Sequence, residues 1–520
     1  MHIVASSHWG RRVIVSVLCV AAAILPLAAE ADPRSPWPRE LLGWAALGPP
    51  KTIRDLRAYA DAIQPGLGTA LSEVALRAAL ARAAGMRSLD GFDSAHWPYV
   101  LAAGVDGARP IALVGRVTDA RQLAASAGSA CIIARSGWAV VGDERVVTRI
   151  ADYALAAIAT KPQPRVATAE IYLSRVLDHY RSELEIARNL WLTLATMSSG
   201  GRGAAPAGLI EALDSLASTT DRLVAMLQVT PEFSTLELRL TPKSGSWLAK
   251  LVTLQRRTSY RILERLPAGP AVMRIGGHLE AGPFRDELIR LIPAHVKPRA
   301  DRSGPMIIQQ AASELTGDFA VAIDVSATAP VTFTYLAGLT STAAGERTLA
   351  TYIAATQGGY SLQTFNGVFW AKPSPKLTIY HGVTLHSIDL VSQPSTVSPA
   401  GPSPLPVDRL DGRVEYAAFD GLGMELKADD SEREAIRTID AARGKAPHFV
   451  LPPLLQASSG RGDSLVLILD IARMIEAVWG HAAAGAPPLV VTAGRADQDA
   501  RITIAIPAVV LRMAASLGGP

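Results

Sequence analysis

Short runs of alternating apolar and polar residues, separated by turn residues, cover most of this chain. Period-two patterning of this kind predicts β-strands. Tyr99–Val105 and Pro110–Val117 flank Asp106-Gly107, a hairpin signal, and Asp119–Ser126 follows with helical character. Asp318–Val325 and Val331–Ala337 repeat that strand–turn–strand order ahead of a helical stretch, Thr342–Thr356. Cys131–Arg135, Ser136-Gly137 and Trp138–Val141 predict a second hairpin. Ser361–Phe365, Asn366-Gly367 and Val368–Ala371 match it closely, and both return strands carry a tryptophan. Thr168–Leu173 feeds a helix from Ser174, as Asp463–Leu469 feeds Asp470–Trp479. Leu223–Val229 with Thr235–Leu240, and Leu489–Ala493 with Arg501–Ile506, read as closing hairpins. Glu40–Leu47 and Pro270–Ile275 match as opening strands.

Recurrence in the same order points to duplication. The expected fold is α+β, with two related halves at 32–262 and 263–520. Each half is expected to be a mainly antiparallel sheet with helices on one face. The first half carries an elaboration near 174–220. Leu173, Leu177, Tyr180, Leu184, Ala187, Trp191 and Leu194 step by fours and threes, and Leu209, Leu213 and Leu216 resume the seam after a glycine-rich break. That spacing predicts a helical hairpin, which could serve as an arm or cover its own sheet. Ser392–Pro406 holds prolines at 394, 399, 402, 404 and 406, and so is expected to be a loop. Lys297–Pro305 is a second polar connection. Val414–Phe419, Asp420-Gly421 and Leu422–Lys427 form one more hairpin candidate, followed by a helix from Ser431 to Arg443.

The N-terminus changes the picture by supplying an address. Arg11 and Arg12 precede an apolar run, Val13–Ala29, and Ala29-Glu30-Ala31 has the form of a cleavage site. Residues 1–31 therefore read as a secretory signal peptide, and the mature chain is expected in the periplasm or outside the cell. The run is shorter than the roughly 20 apolar residues of a spanning helix and contains Pro26. Val325–Gly345 and Thr348–Ala371 are uncharged but rich in Thr, Ser, Gly or Gln, so no transmembrane span is expected after cleavage.

Composition adds limits. Without Arg11, Arg12 and Glu30 the formal charge falls from +4 to +3, and no basic stripe interleaves with aromatics, which argues against nucleic acid. Cys19 leaves with the leader, so Cys131 has no intramolecular partner and reads as an inert strand thiol.

Motifs that carry chemistry are sparse. The chain has no His-Glu-x-x-His, no Cys-x-x-Cys and no Gly-x-Ser-x-Gly. Asp90, Asp93 and His96, ahead of Trp97-Pro98, could bind a metal or do acid–base work, though the same residues suit a polar loop. His381 and His386 would lie on opposite faces of one strand, and a turn at His381-Gly382 is the simpler account. Arg461-Gly462-Asp463 reads as a loop before a strand rather than an adhesion site. None of these is assigned as a catalytic, cofactor or metal residue, and no cofactor is implied. The hairpins at Cys131–Val141 and Ser361–Ala371 are too generic to name a family. The expectation is an exported, non-catalytic binding or scaffold module of the envelope. Its partner would be an unknown protein or a small apolar ligand. The alternatives are a carrier of apolar molecules in a groove between the halves and a secreted hydrolase with Asp90, Asp93 and His96 in one cleft.

Overall fold

Strand pairing is antiparallel in every ladder among the described residues of a computed structural model. The structure describes residues 38–183, 215–279, 314–325, 331–392, 412–453, 463–479 and 485–517, with 185, 186, 189 and 455, but not 163, 257, 259, 356, 365 and 366. The expected signal peptide at 1–31, Lys297–Pro305, most of the segment expected to form a helical hairpin and the expected proline-rich loop after Ser392 lie outside them. The chain is mixed α and β and divides into two compact units that are not continuous in sequence. Among the described residues, one comprises those within 38–193, 215–249 and 498–517; the other comprises those within 250–497.

In the first unit, β1 (Leu41–Ala46) is followed by the helices α1 (Pro50–Ile63) and α2 (Glu73–Ala83). Next come β2 (Tyr99–Ala103), β3 (Ile111–Arg116), α3 (Ala120–Ser126) and the hairpin β4 (Cys131–Arg135) and β5 (Trp138–Gly142). Then follow α4 (Glu144–Tyr153), β6 (Ala167–Tyr172), α5 (Leu173–His179), β7 (Thr220–Val229) and β8 (Phe233–Pro242). The sheet runs β4-β5-β3-β2-β1-β6-β7-β8 and ends on the C-terminal strand Asp499–Pro507. Capping side chains start several helices. Asp119 accepts from the N–H groups of Arg121 and Gln122, and Asp143 accepts from that of Arg145. Each such cap contributes about 1 kcal/mol.

This sheet departs from the one-faced arrangement expected from sequence. Helix α4 brings Val146, Val147 and Ile150 against Tyr99, Leu101, Val114 and Val140. On the other face, Ala81 of α2 and Leu123 of α3 pack with Leu113, Ala139 and Val141. Leu113 and Val114 are neighbours on β3 pointing to opposite faces, and both are fully buried. An unbroken apolar run such as Ile111–Val114 is the sequence form of a strand covered on both sides.

The second unit begins with β9 (Met273–His278), β10 (Leu315–Asp324) and β11 (Thr332–Leu339), then α6 (Thr342–Ala355). Three strands follow, β12 (Tyr360–Thr364), β13 (Gly367–Tyr380) and β14 (Val383–Ser392). The hairpin β15 (Gly412–Phe419) and β16 (Leu422–Lys427), helix α7 (Ser431–Ala442), β17 (Asp463–Leu469), α8 (Ile471–Trp479) and β18 (Leu489–Ala496) complete it. The order is β12-β13-β14-β15-β16-β11-β10-β9-β17-β18. The strand Asp499–Pro507, β19, and the helix Ala508–Leu517, α9, belong to the first unit through the pairing of β19 with β8.

Position along the sheet shifts one of the sequence correspondences. In the first unit the hairpin β4–β5 joins the sheet through β3. In the second unit the hairpin joined to the third strand is β15–β16, not the Tyr360–Ala371 segment. β12, β13 and β14 extend that sheet beyond β15. The local likeness of two Xaa-Gly hairpins decided the sequence match, whereas the ladder is set by contacts distant in sequence.

Candidate functional site

The segment between α2 and β2 is tied down before it reaches its polar residues. The N–H groups of Thr118 and Asp119 donate to the Gly91 carbonyl, and the Asp93 N–H donates to the Arg116 carbonyl. Phe92 bridges to Val117 in sheet fashion, and its ring lies over Gly115, where a Cβ would come within 2.6 Å of it. Arg77 clamps the far side. It donates to the Ser94 carbonyl at 2.7 Å, with its guanidinium 4.8 Å from the centre of the Trp97 ring.

Asp93 is thus held at the mouth of a pocket. One carboxylate oxygen accepts from the Ala95 N–H at 2.9 Å; the other lies 2.8 Å from His96 Nδ1. The Ala95 N–H, followed by His96, holds the Asp93 carboxyl below the usual carboxylate range. The pocket encloses about 160 Å³. Phe92, Trp97, Tyr99 and Trp138 supply aromatic walls. Arg116, at the end of β3, and Lys161, after the turn that follows α4, also line it. The Tyr99 hydroxyl donates to the Lys161 carbonyl at 2.9 Å, fixing the backbone there, and burial pushes the Tyr99 hydroxyl up to about 12.

Asp93 acts on Arg116, and Glu170 on Lys161, through space. Among the described residues, neither the Arg116 guanidinium nor the Lys161 ammonium forms a hydrogen bond or an ion pair. Arg116 is exposed and Lys161 half-buried. Burial lowers the Lys161 pKa, and Glu170 opposes that shift. The ammonium stands 5.1 Å from the centre of the Trp44 ring.

A second polar group lies deeper in the same unit. Glu170, on β6, is fully buried. It accepts from Trp44 Nε1 at 3.0 Å and from the Tyr172 hydroxyl at 2.8 Å, with Arg222 Nη1 3.8 Å away. Burial pushes its carboxyl above the ordinary glutamate range. The signal for it in sequence is one carboxylate in the centre of the strand Ala167–Tyr172.

The residues singled out from sequence separate into distinct places. Asp93 and His96 come together. Asp90 does not join them; it accepts from the Ser88 hydroxyl at 2.7 Å and does not line the pocket. His381 takes φ +46° beside Gly382 at φ +81°, forming a two-residue turn between β13 and β14. His386 is buried on β14, with Nε2 3.5 Å from Glu346. Asp463 is buried at the start of β17, and Arg461 and Gly462 lie outside the described residues. Cys131 is half-buried, and burial raises its thiol pKa. His278 pairs with Asp318 across β9 and β10 at 3.0 Å, a contact that sequence spacing does not reveal. Arg116 and Lys161 were also missed; only Trp138 stood out, as the tryptophan of a return strand. Among the described residues, no cluster of three or more His, Cys, Asp or Glu could hold a metal, and no helix is long and apolar enough to cross a membrane.

No family model matches this chain, and no curated protein matches it. Three solved structures of TP0453 are similar to part of it. Crystal form III shares 10% identity over 50% of this chain and 98% of that chain, with a TM-score of 0.23. Crystal form IV shares 10% over 49% and 95%, with a TM-score of 0.25. Crystal form I shares 9% over 50% and 98%, with a TM-score of 0.24. Likenesses this slight carry no argument about fold or function.

Proposed function

We propose that this chain is an exported, non-catalytic binding module of the envelope or periplasm, holding a small ligand in the pocket of its first unit. The observation that carries this reading is the lining of that pocket, where Arg116 and Lys161 stand beside aromatic walls. Apolar walls with a few convergent polar groups are the usual form of a small-molecule site. The Asp93 carboxylate itself is poorly suited to proton abstraction. Both Asp93 oxygens are engaged and its carboxyl is held below the usual range, which makes it a weak base.

Export rests on the leader at 1–31. Descent from a duplicated α+β half is supported by strand order. The first unit reads β4-β5-β3-β2-β1-β6-β7, and the same places in the second are taken by β15, β16, β11, β10, β9, β17 and β18. The order of helices agrees, since α4 follows β5 as α7 follows β16, and α5 follows β6 as α8 follows β17.

Two measurements test the reading. Fractionation with mass spectrometry of the N-terminus should find a mature chain starting at Asp32 outside the cytoplasm; an intact leader on cytosolic protein contradicts export. Ligands found by thermal-shift screening should be recovered chemically unchanged after incubation. Conversion to product would make the chain an enzyme, and co-purified lipid in native mass spectrometry would favour the apolar carrier.

A further inference from the structure

We propose that the pocket of the first unit selects a small anion carried on a planar apolar ring, an aromatic carboxylate by class. This rests on the reading of the pocket as a ligand site and names what the site takes.

Size sets the first limit. A cavity of about 150 Å³ accommodates one benzene ring, and this pocket encloses about 160 Å³. A single six-membered ring fits within it. The walls set the second. Trp138, half-buried, and Trp97, buried with Arg77 over its ring, are both part of the lining, and aromatic walls favour a flat ring over a branched or flexible group.

Charge sets the third. Asp93 is the carboxylate of the lining, and both its oxygens are occupied from within, by the Ala95 N–H and by His96. It does not neutralise the cations by direct pairing. Arg116 and Lys161 therefore bring two positive charges to a lining that holds one carboxylate, Asp93, while Glu170 acts on Lys161 from outside the pocket. A guanidinium offers two parallel N–H donors to a carboxylate, and an ammonium adds a point charge. Lys161 is half-buried, so an anion beside it regains for the ammonium part of the solvation it lost. Arg116 lies directly across from Trp138 in the β3–β5 ladder, which places the charge and a wall of the ring site side by side.

The test is calorimetric titration of the full mature chain with benzoate, benzamide and acetate, repeated on Arg116→Gln and Lys161→Met. Arg116 is exposed, so its replacement leaves the fold intact, and a thermal melt checks this for both variants. Benzoate should bind at least about tenfold more tightly than benzamide or acetate, and either substitution should weaken it by about tenfold, the loss expected for one charge-assisted contact. Benzamide binding as well as benzoate, or benzoate binding unchanged in Arg116→Gln, overturns the choice of anion while leaving a ligand site in place. If none of the three probes binds, both the ligand class and the site fail.

Discussion

Trp44 Nε1 donates a 3.0 Å hydrogen bond to Glu170 Oε2 across the β1–β6 ladder, where the two residues are directly paired. Both are buried, and Tyr172 adds a second donor to the same carboxylate. A carboxylate inside a sheet is tolerated only while its donors remain matched to it. Glu170→Leu leaves the Trp44 N–H and the Tyr172 hydroxyl without their acceptor, at about 1–3 kcal/mol each. Urea unfolding at pH 5 should show that loss, whereas Glu170→Gln, which keeps an acceptor, should stay within about 1 kcal/mol of the parent. Equal stability of Glu170→Leu and the parent would contradict the arrangement.

The same carboxylate gives stability a pH slope. Burial raises the Glu170 pKa in the folded chain, so above the ordinary glutamate value the folded state keeps a proton that the unfolded state has released. The contribution is fully present below the unfolded pKa and is lost as pH rises through the folded one. Unfolding curves of the parent and Glu170→Gln across this window should differ by a slope of that sign. A difference that grows in the parent's favour with rising pH would contradict it.

Leu113 and Val114 separate a two-faced core from a one-faced one. Both are fully buried, one toward α2 and α3 and the other toward α4. Leu113→Ala should cost about 2–5 kcal/mol. Val114→Ala should cost about 1.5–3 kcal/mol by chemical denaturation. A change under about 0.5 kcal/mol at either position is what a solvent-facing side chain would give.

Gly91 positions the segment that carries Asp93 and His96. Its φ is +94°, and a Cβ there would fall 2.3 Å from the Leu123 backbone nitrogen and 2.6 Å from the Asp119 carbonyl oxygen. Neither atom is the end of a flexible side chain. Gly91→Ala should therefore destabilise by more than about 2 kcal/mol in thermal unfolding, through strain and displacement together. A neutral result would mean the turn can be rebuilt without glycine.

Local structure was legible in this sequence because its signals are local. The hairpin turns at Ser136-Gly137 and Asp420-Gly421 pair a residue of positive φ with glycine, as their dipeptides suggest. Asp119 and Asp430 cap helices from the positions where the apolar pattern changes period. Contacts between distant residues were not legible. Nothing in Thr235–Leu240 announces that β8 also pairs with the C-terminal strand, or in Val331–Ala337 that β11 pairs with β16. The site divides in the same way. Asp93 and His96 are three residues apart and were read together, while Arg116, Trp138 and Lys161 reach them only through the folded sheet. Asp90 stands apart from them as a polar-loop residue, since the tightly turned Gly91 separates it from them and Ser88 engages it locally.

The most direct test of the pocket as a ligand site is fluorine NMR of the mature chain labelled with 5-fluorotryptophan, titrated with benzoate. Trp138 and Trp97 line the pocket, and Trp44 sits behind Lys161. Resonances assigned to Trp138 and Trp97 by single substitution should shift in a saturable way, with those of Trp247 and Trp370, which do not line the pocket, unmoved. Shifts confined to other tryptophans, or none at saturating benzoate, would contradict the account.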